Sequence, residues 1–226
     1  MNVLPVCPRL EEVDPETIHD LVQTGDLLLF CGRGLASNIV RYFTRSHWSH
    51  IGVVVRLRGI AEPLVLESTT LSASNDLFKG APVRGIGLVP LADKIKQYDG
   101  EVALRRRQGE PLSVSRQKMV ERLALTLCHR PYKNFLLCHL RALFYRRKRN
   151  DYAAMFCSEL VAEIYRRLGW LSDDICPKDF VPGHFGKNDF FIQDGTLADP
   201  LRLVSRSNRL SGAETKKKNI LMPILC

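Results

Sequence analysis

Two neighbouring stretches constrain the fold more than any other. HWSHIGVVVRLRG, His47 to Gly59, is rich in valine and ends in a turn signal, and AEPLVLESTT, Ala61 to Thr70, follows at once. Short β-branched runs bounded by glycine and proline read as strands, so the pair predicts a β-hairpin. A turn between Arg58 and Gly59 gives a pairing sum of 117 and sets His50 directly opposite Glu67. Directly opposed residues hold their Cβ atoms about 5 Å apart, within reach for a carboxylate to orient an imidazole. Pro63 complicates this register, because proline tolerates only edge or bulged positions in a sheet. A slip of one residue would send the two side chains to opposite faces. Upstream, TGDLLLF, Thr24 to Phe30, runs from a turn signal into a continuous apolar stretch and reads as a buried strand, with Asp26 holding the turn through side-chain hydrogen bonds.

Downstream, FCSELVAEIYRRLG, Phe156 to Gly169, is an amphipathic helix. Leu160, Val161, Ile164 and Leu168 fall on one face, and Cys157 precedes the first two by three and four residues, which turns its thiol inward at the helix start. The unpaired N–H groups and partial positive charge of a helix N-terminus favour a thiolate there. The alternative is a small buried core cysteine. Gly169 closes the helix, and Glu159, Glu163, Arg166 and Arg167 read as its solvated face.

The intervening sequence supplies further elements. SNIVRYFTR is a short helix with Ser37 as its expected cap. GLVPLADKIKQYDG gives a short strand and a helix, EVALRRR a strand, and RQKMVERLALTLCHR a helix capped by Ser113 or Ser115. Helical spacing resumes through Phe135, Leu136, Leu140, Leu143 and Phe144 and ends in the basic run Arg146 to Arg149. Residues 1–20 read as an extension, residues 21–192 as one domain, and residues 193–226 as a basic tail.

Lys and Arg number 33 against 24 acids, a formal net charge of +9, which favours anionic partners. Aromatic residues do not interleave with the basic ones, so no specific nucleic-acid module is expected. The seven cysteines show no CxxC spacing and MNVLPVCPRL lacks the apolar core of a secretory signal, which together point to a reducing intracellular, cytoplasmic setting. No apolar run reaches the roughly 18 residues of a membrane-spanning helix. The tail carries Lys216, Lys217 and Lys218 before NILMPILC, and its readings are a disordered tail or peripheral contact with an anionic membrane, with Cys226 open to acylation. Cys128, His129, Cys138 and His139 invite a metal reading. Sequence neighbours on a helix project about 100° apart, however, so each dipeptide aims its two ligands poorly at one ion, and no metal or organic cofactor is expected.

Cys157, His50 and Glu67 are a nucleophile, a base and an orienting acid, the set that acyl transfer on a cysteine requires. GDLLLF, SHIGVVV, LESTT, FCSELVAEIYRRLG and the later PKDF together resemble the circularly permuted, YiiX-type branch of the NlpC-like papain-fold cysteine amidases and peptidases, over about residues 22 to 190. In that family the His opens a strand, an acidic residue lies on the next strand and the Cys starts a late helix. His50, Glu67 and Cys157 fall on those positions. The resemblance implies an α+β, papain-like fold, an antiparallel sheet packed against helices, and a thiol hydrolase acting on an amide or isopeptide bond. Poxvirus and lecithin:retinol acyltransferase-like relatives leave a lipid thioesterase or acyltransferase, or a non-catalytic binding module, as alternatives. The expected partner is a peptide or amide-containing substrate, with lipid as the second choice. His47, Trp48 and Ser49, beside His50, are placed to line the cleft, with plain core packing as the equal reading of Trp48, and the Cys157 backbone N–H is expected to serve an oxyanion hole.

Overall fold

A computed structural model of the chain describes residues 10–70, 72–130 and 156–204. The helix expected through Phe135 to Phe144, the basic run at 146–149, Cys138, His139 and the lysine tail lie outside the described residues. The described part is a mixed α+β structure built on a seven-stranded sheet. Its strands are β1 (Glu12–Val13), β2 (Leu27–Gly32), β3 (His50–Val55), β4 (Leu64–Thr69), β5 (Gly85–Pro90), β6 (Gly100–Arg105) and β9 (Leu201–Leu203), in the order β1-β9-β6-β2-β3-β4-β5. All neighbours are antiparallel except β1 and β9. The sheet edge therefore draws in residues 12–13 and 201–203 from what reads in the sequence as extension and tail. A separate two-stranded ladder joins β7 (Arg107–Gln108) to β8 (Thr196–Leu197).

The helices are α1 (Pro15–Ile18), α2 (Leu35–Thr44), α3 (Leu91–Gln97), α4 (Val114–Leu127) and α5 (Cys157–Arg167). They explain why the central strands are apolar at consecutive positions: both faces are covered. One face, through Leu29, Ile51, Val53, Leu66 and Leu88, packs under Leu160, Val161 and Ile164 of α5 and Val120 and Leu123 of α4. The other, through Leu28, Phe30, Val54, Val65 and Leu104, packs against Ile18, Val22 and Leu91. Each fully buried aliphatic side chain of this kind contributes roughly 2 kcal/mol of transfer free energy.

Local devices anchor these layers. Asp26 holds its turn as expected: its carboxylate accepts from the Gln23 N–H at 2.9 Å and the Arg107 N–H at 2.8 Å. Gly25, at φ +101°, meets Trp170 so closely that a Cβ would stand 2.4 Å from its ring. The Tyr165 hydroxyl donates to the Gly25 carbonyl at 2.7 Å, tying the end of α5 to the start of β2. Ser113 caps α4 by accepting from the Arg116 N–H at 3.3 Å. Ser37, by contrast, is not the cap of α2. That helix begins two residues earlier with Gly34 as its N-cap, so Ser37 lies inside it.

Candidate active site

The hairpin exists, with a register that differs from the expected one by two residues. Gly52 pairs with Glu67 and Val55 with Leu64, a sum of 119 in place of 117. The link runs from Arg56 to Pro63 and keeps the proline just outside the ladder, which removes the conflict of placing it in a strand. A shift of two preserves side-chain parity, so His50 and Glu67 still share a face as diagonal neighbours. The position opposite Glu67 belongs to Gly52, where a Cβ would stand 2.7 Å from a Val65 methyl and 3.5 Å from the Glu67 Cβ. The tight contact there is with Val65, and Glu67 Oε2 lies 2.7 Å from His50 Nε2.

Cys157 opens α5 and is 6% exposed. By parity His50 belongs with Phe30 and Val54, whereas Cys157 belongs to the opposite layer. His50 is the first residue of β3, and at that end of the sheet its ring meets both: it bonds Glu67 on one side and the Cys157 side chain on the other. Burial would lower the imidazole pKa. Negative charge on the Cys157 sulfur and the hydrogen bonds to Cys157 and Glu67 outweigh it and hold the ring protonated up to about 9. The start of α5 is fixed from two directions. The Phe156 N–H donates to Glu159 Oε2 at 3.3 Å, and the Ser158 hydroxyl donates to the Phe180 carbonyl at 2.6 Å. The second bond secures the PKDF segment, whose Pro177–Asp179 forms a 3-10 turn.

Glu159 and Glu163 are not solvated, contrary to the sequence expectation: they are 4% and 2% exposed. Glu159 is consumed in the bond at the helix start. Glu163 is held by Arg166 at 3.1 Å and Arg167 at 2.6 Å, so charge pairing replaces hydration.

Lys94, on α3, is a neighbour of Glu67 that the sequence reading missed. Its ammonium, 5% exposed, lies 2.6 Å from Glu67 Oε1, which the Ser72 hydroxyl also reaches at 3.3 Å. The ammonium stands 5.2 Å from the Phe30 ring centre and 5.6 Å from that of Tyr98. Burial would raise the Glu67 pKa, but Lys94 and then His50 overcome it and hold the carboxyl ionised down to about 2. One signal could have found Lys94. Leu91, Lys94, Ile95 and Tyr98 form an i, i+3, i+4, i+7 stripe, and a lysine on an apolar stripe asks for a buried acid.

His47, Trp48 and Ser49 are buried supports. Trp48 is 4% exposed in the core, and Ser49 accepts from the Gly32 N–H at 3.1 Å and donates to the Phe30 carbonyl at 3.2 Å. His47 Nε2 pairs with Glu101 Oε2 at 2.9 Å. Among the described residues, His47, Glu101 and Cys31 form a second Cys-His-Glu grouping, with potential ligand atoms all within 4.8 Å of one another. These three are the residues that could hold a metal ion. Glu101 is also engaged by the Arg202 guanidinium, and burial pushes the Cys31 thiol up, both of which weaken the set for a cation. Cys128 and His129 diverge: Cys128 packs on the core with its thiol pushed up by burial to about 12, and His129 reaches Asp76 at 3.1 Å.

No family model matches the chain, and no curated protein matches it. Among solved structures it is similar to the crystal structure of the metalloprotein YiiX from Escherichia coli O157:H7, a DUF1105 protein, with 18% identity and a TM-score of 0.48 over 82% of this chain and 98% of that one.

Proposed function

We propose that the chain is a thiol hydrolase of circularly permuted papain-like type, cleaving an amide or isopeptide bond with Cys157 as nucleophile, His50 as acid and base, and Glu67 as orienter. The observation that carries the reading is the His50 ring between the Glu67 carboxylate at 2.7 Å and the side chain of a cysteine at a helix start. His50, bonded to the Cys157 side chain, is placed to take the thiol proton as the sulfur attacks. The sulfur forms a bond to the substrate carbonyl carbon, the imidazolium gives its proton to the departing amine, and the C–N bond breaks to leave a thioester. Water then adds to the thioester as His50 takes its proton, and the thiolate leaves with release of the acid. Glu67 fixes the ring through Nε2, so the other nitrogen, Nδ1, faces the sulfur, and Lys94 and Ser72 keep Glu67 ionised and oriented.

Limiting iodoacetamide at neutral pH tests the nucleophile. Cys157 is expected to alkylate fastest of the seven cysteines, and Cys157→Ala to abolish turnover while keeping the fold; alkylation no faster than that of the other cysteines overturns the assignment. The same triad would serve acyl transfer from a lipid ester, a reading favoured by exposed apolar residues on α2 at this end of the sheet. Matched peptide-amide and phospholipid-ester substrates separate the two, and turnover of the lipid alone replaces the first with the second.

A further inference from the structure

We propose that α2 is an interfacial helix that seats this end of the molecule on an anionic phospholipid bilayer. The helix α2 inverts the usual arrangement. A surface helix ordinarily buries its apolar stripe and shows water its polar face. Leu35, Ile39 and Phe43 recur every four residues and so form one stripe along α2, and they are 83%, 47% and 64% exposed. The polar side turns toward the protein instead: Ser37, Asn38, Arg41 and Thr44 are half-buried. Ser37 Oγ stands 2.4 Å from where a Gly32 Cβ would be, at the end of β2. The helix thus docks through its polar side, and its hydrocarbon faces outward.

Charge identifies the occupant. Arg33 precedes the helix and Arg45 follows it, both exposed, and no acidic residue occurs between Asp26 and Glu62. The Arg33 pair with Asp99, at 3.8 Å between side chains 77% and 83% exposed, is too loose and too wet to neutralise it. An apolar stripe flanked by cations fits an anionic headgroup layer over hydrocarbon. A second copy of the chain would bring the arginines against one another. A protein partner needs roughly 800 Å² on each side for a stable interface, more than three side chains of one short helix provide. Ten residues span about 15 Å, so α2 lies in the membrane plane. Since α2 links the end of β2 to the start of β3, the bound orientation brings His50 to headgroup level.

The test is co-sedimentation of the full chain with vesicles of phosphatidylcholine alone or with about a third phosphatidylserine. The wild type is expected to bind the anionic vesicles at least about tenfold better, with loss at high salt. Ile39→Glu with Phe43→Glu, and separately Ile39→Ser with Phe43→Ser, are expected to weaken that binding about tenfold at an unchanged melting temperature. Equal or absent binding of the wild type overturns the proposal. So does full binding by the variants, which would move the contact to another basic segment. A dimer that the variants dissociate, or variants that lose stability while the wild type ignores vesicles, would assign the stripe to a second copy or to this chain's own residues. Iodoacetamide labelling of Cys157 in the same variants stays as in the wild type, so the outcome is separable from the catalytic reading.

Discussion

Lys94→Met removes the buried cation from the Glu67 carboxylate while keeping a flexible side chain of similar length against Phe30 and Tyr98. In the wild type, Glu67 is 1% exposed and its Oε1 lies 2.6 Å from the Lys94 ammonium. Breaking a buried pair by deleting one partner leaves a desolvated charge and costs about 3–5 kcal/mol. The carboxyl pKa gives an independent scale. Holding it at about 2, from an ordinary 4.5, corresponds to roughly 3 kcal/mol at about 1.4 kcal/mol per pH unit, shared between Lys94 and His50. Because His50 and Ser72 still bond the carboxylate after the substitution, the low end applies, and Lys94→Met is expected to lose about 3 kcal/mol by urea unfolding at pH 7.

The pH dependence carries the sharper signature. A depressed carboxyl pKa stabilises the fold fully above the unfolded value of 4.5, and that contribution is lost as pH falls through about 2. Without Lys94 the Glu67 pKa rises toward the unfolded value, so the stability lost between 4.5 and about 2 becomes smaller and is complete at higher pH. Glu67→Gln in the Lys94→Met background removes the stranded charge and is expected to recover part of the stability. A Lys94→Met protein within about 1 kcal/mol of wild type, with an unchanged acid profile, would refute the coupling.

Further expectations concern the catalytic limb and the hairpin. The His50 pKa is raised to about 9, so on the mechanism proposed above kcat/KM for an amide substrate should fall as pH rises through about 9, where His50 loses the proton assigned to the leaving amine; an alkaline limb near 6.5 would mean that the ring is not paired as described. The same shift is a stability statement with the opposite sense to that of Glu67: the contribution is complete below 6.5 and is lost through about 9, which thermal melts of wild type and His50→Ala across that window can read. Gly52→Ala places a Cβ 2.7 Å from a Val65 methyl and should cost roughly 1–3 kcal/mol in urea unfolding. Wild-type stability would mean that Val65 gives way to the added methyl at no cost.

The sheet was readable because its signals are local. LLLF, HIGVVV and LVLE are apolar at consecutive positions, and they become β2, β3 and β4 with both faces covered. The inward turn of Cys157 was readable from helical spacing alone. Lys94 escaped because its partner Glu67 lies 27 residues away on another element, and proximity across a sheet face leaves no mark in either local pattern. Glu159 and Glu163 misled for a related reason: a charged residue on a helix looks solvated until the arginines and backbone N–H that replace its water are known.

The hairpin shows why a site can survive an error in register. Assuming a tight turn at Arg58 and Gly59 put His50 opposite Glu67, whereas the longer link through Pro63 moves the pairing by two residues. Side chains alternate with period two, so an even shift changes distance along a face and never the face itself. Diagonal Cβ atoms lie about 7 Å apart, a gap that a glutamate and an imidazole close together. The position opposite the glutamate is Gly52, where the neighbour that leaves no space for a side chain is Val65. Glycine at 52 thus serves the packing of the two strands, and the reach of the two long side chains closes the diagonal to 2.7 Å.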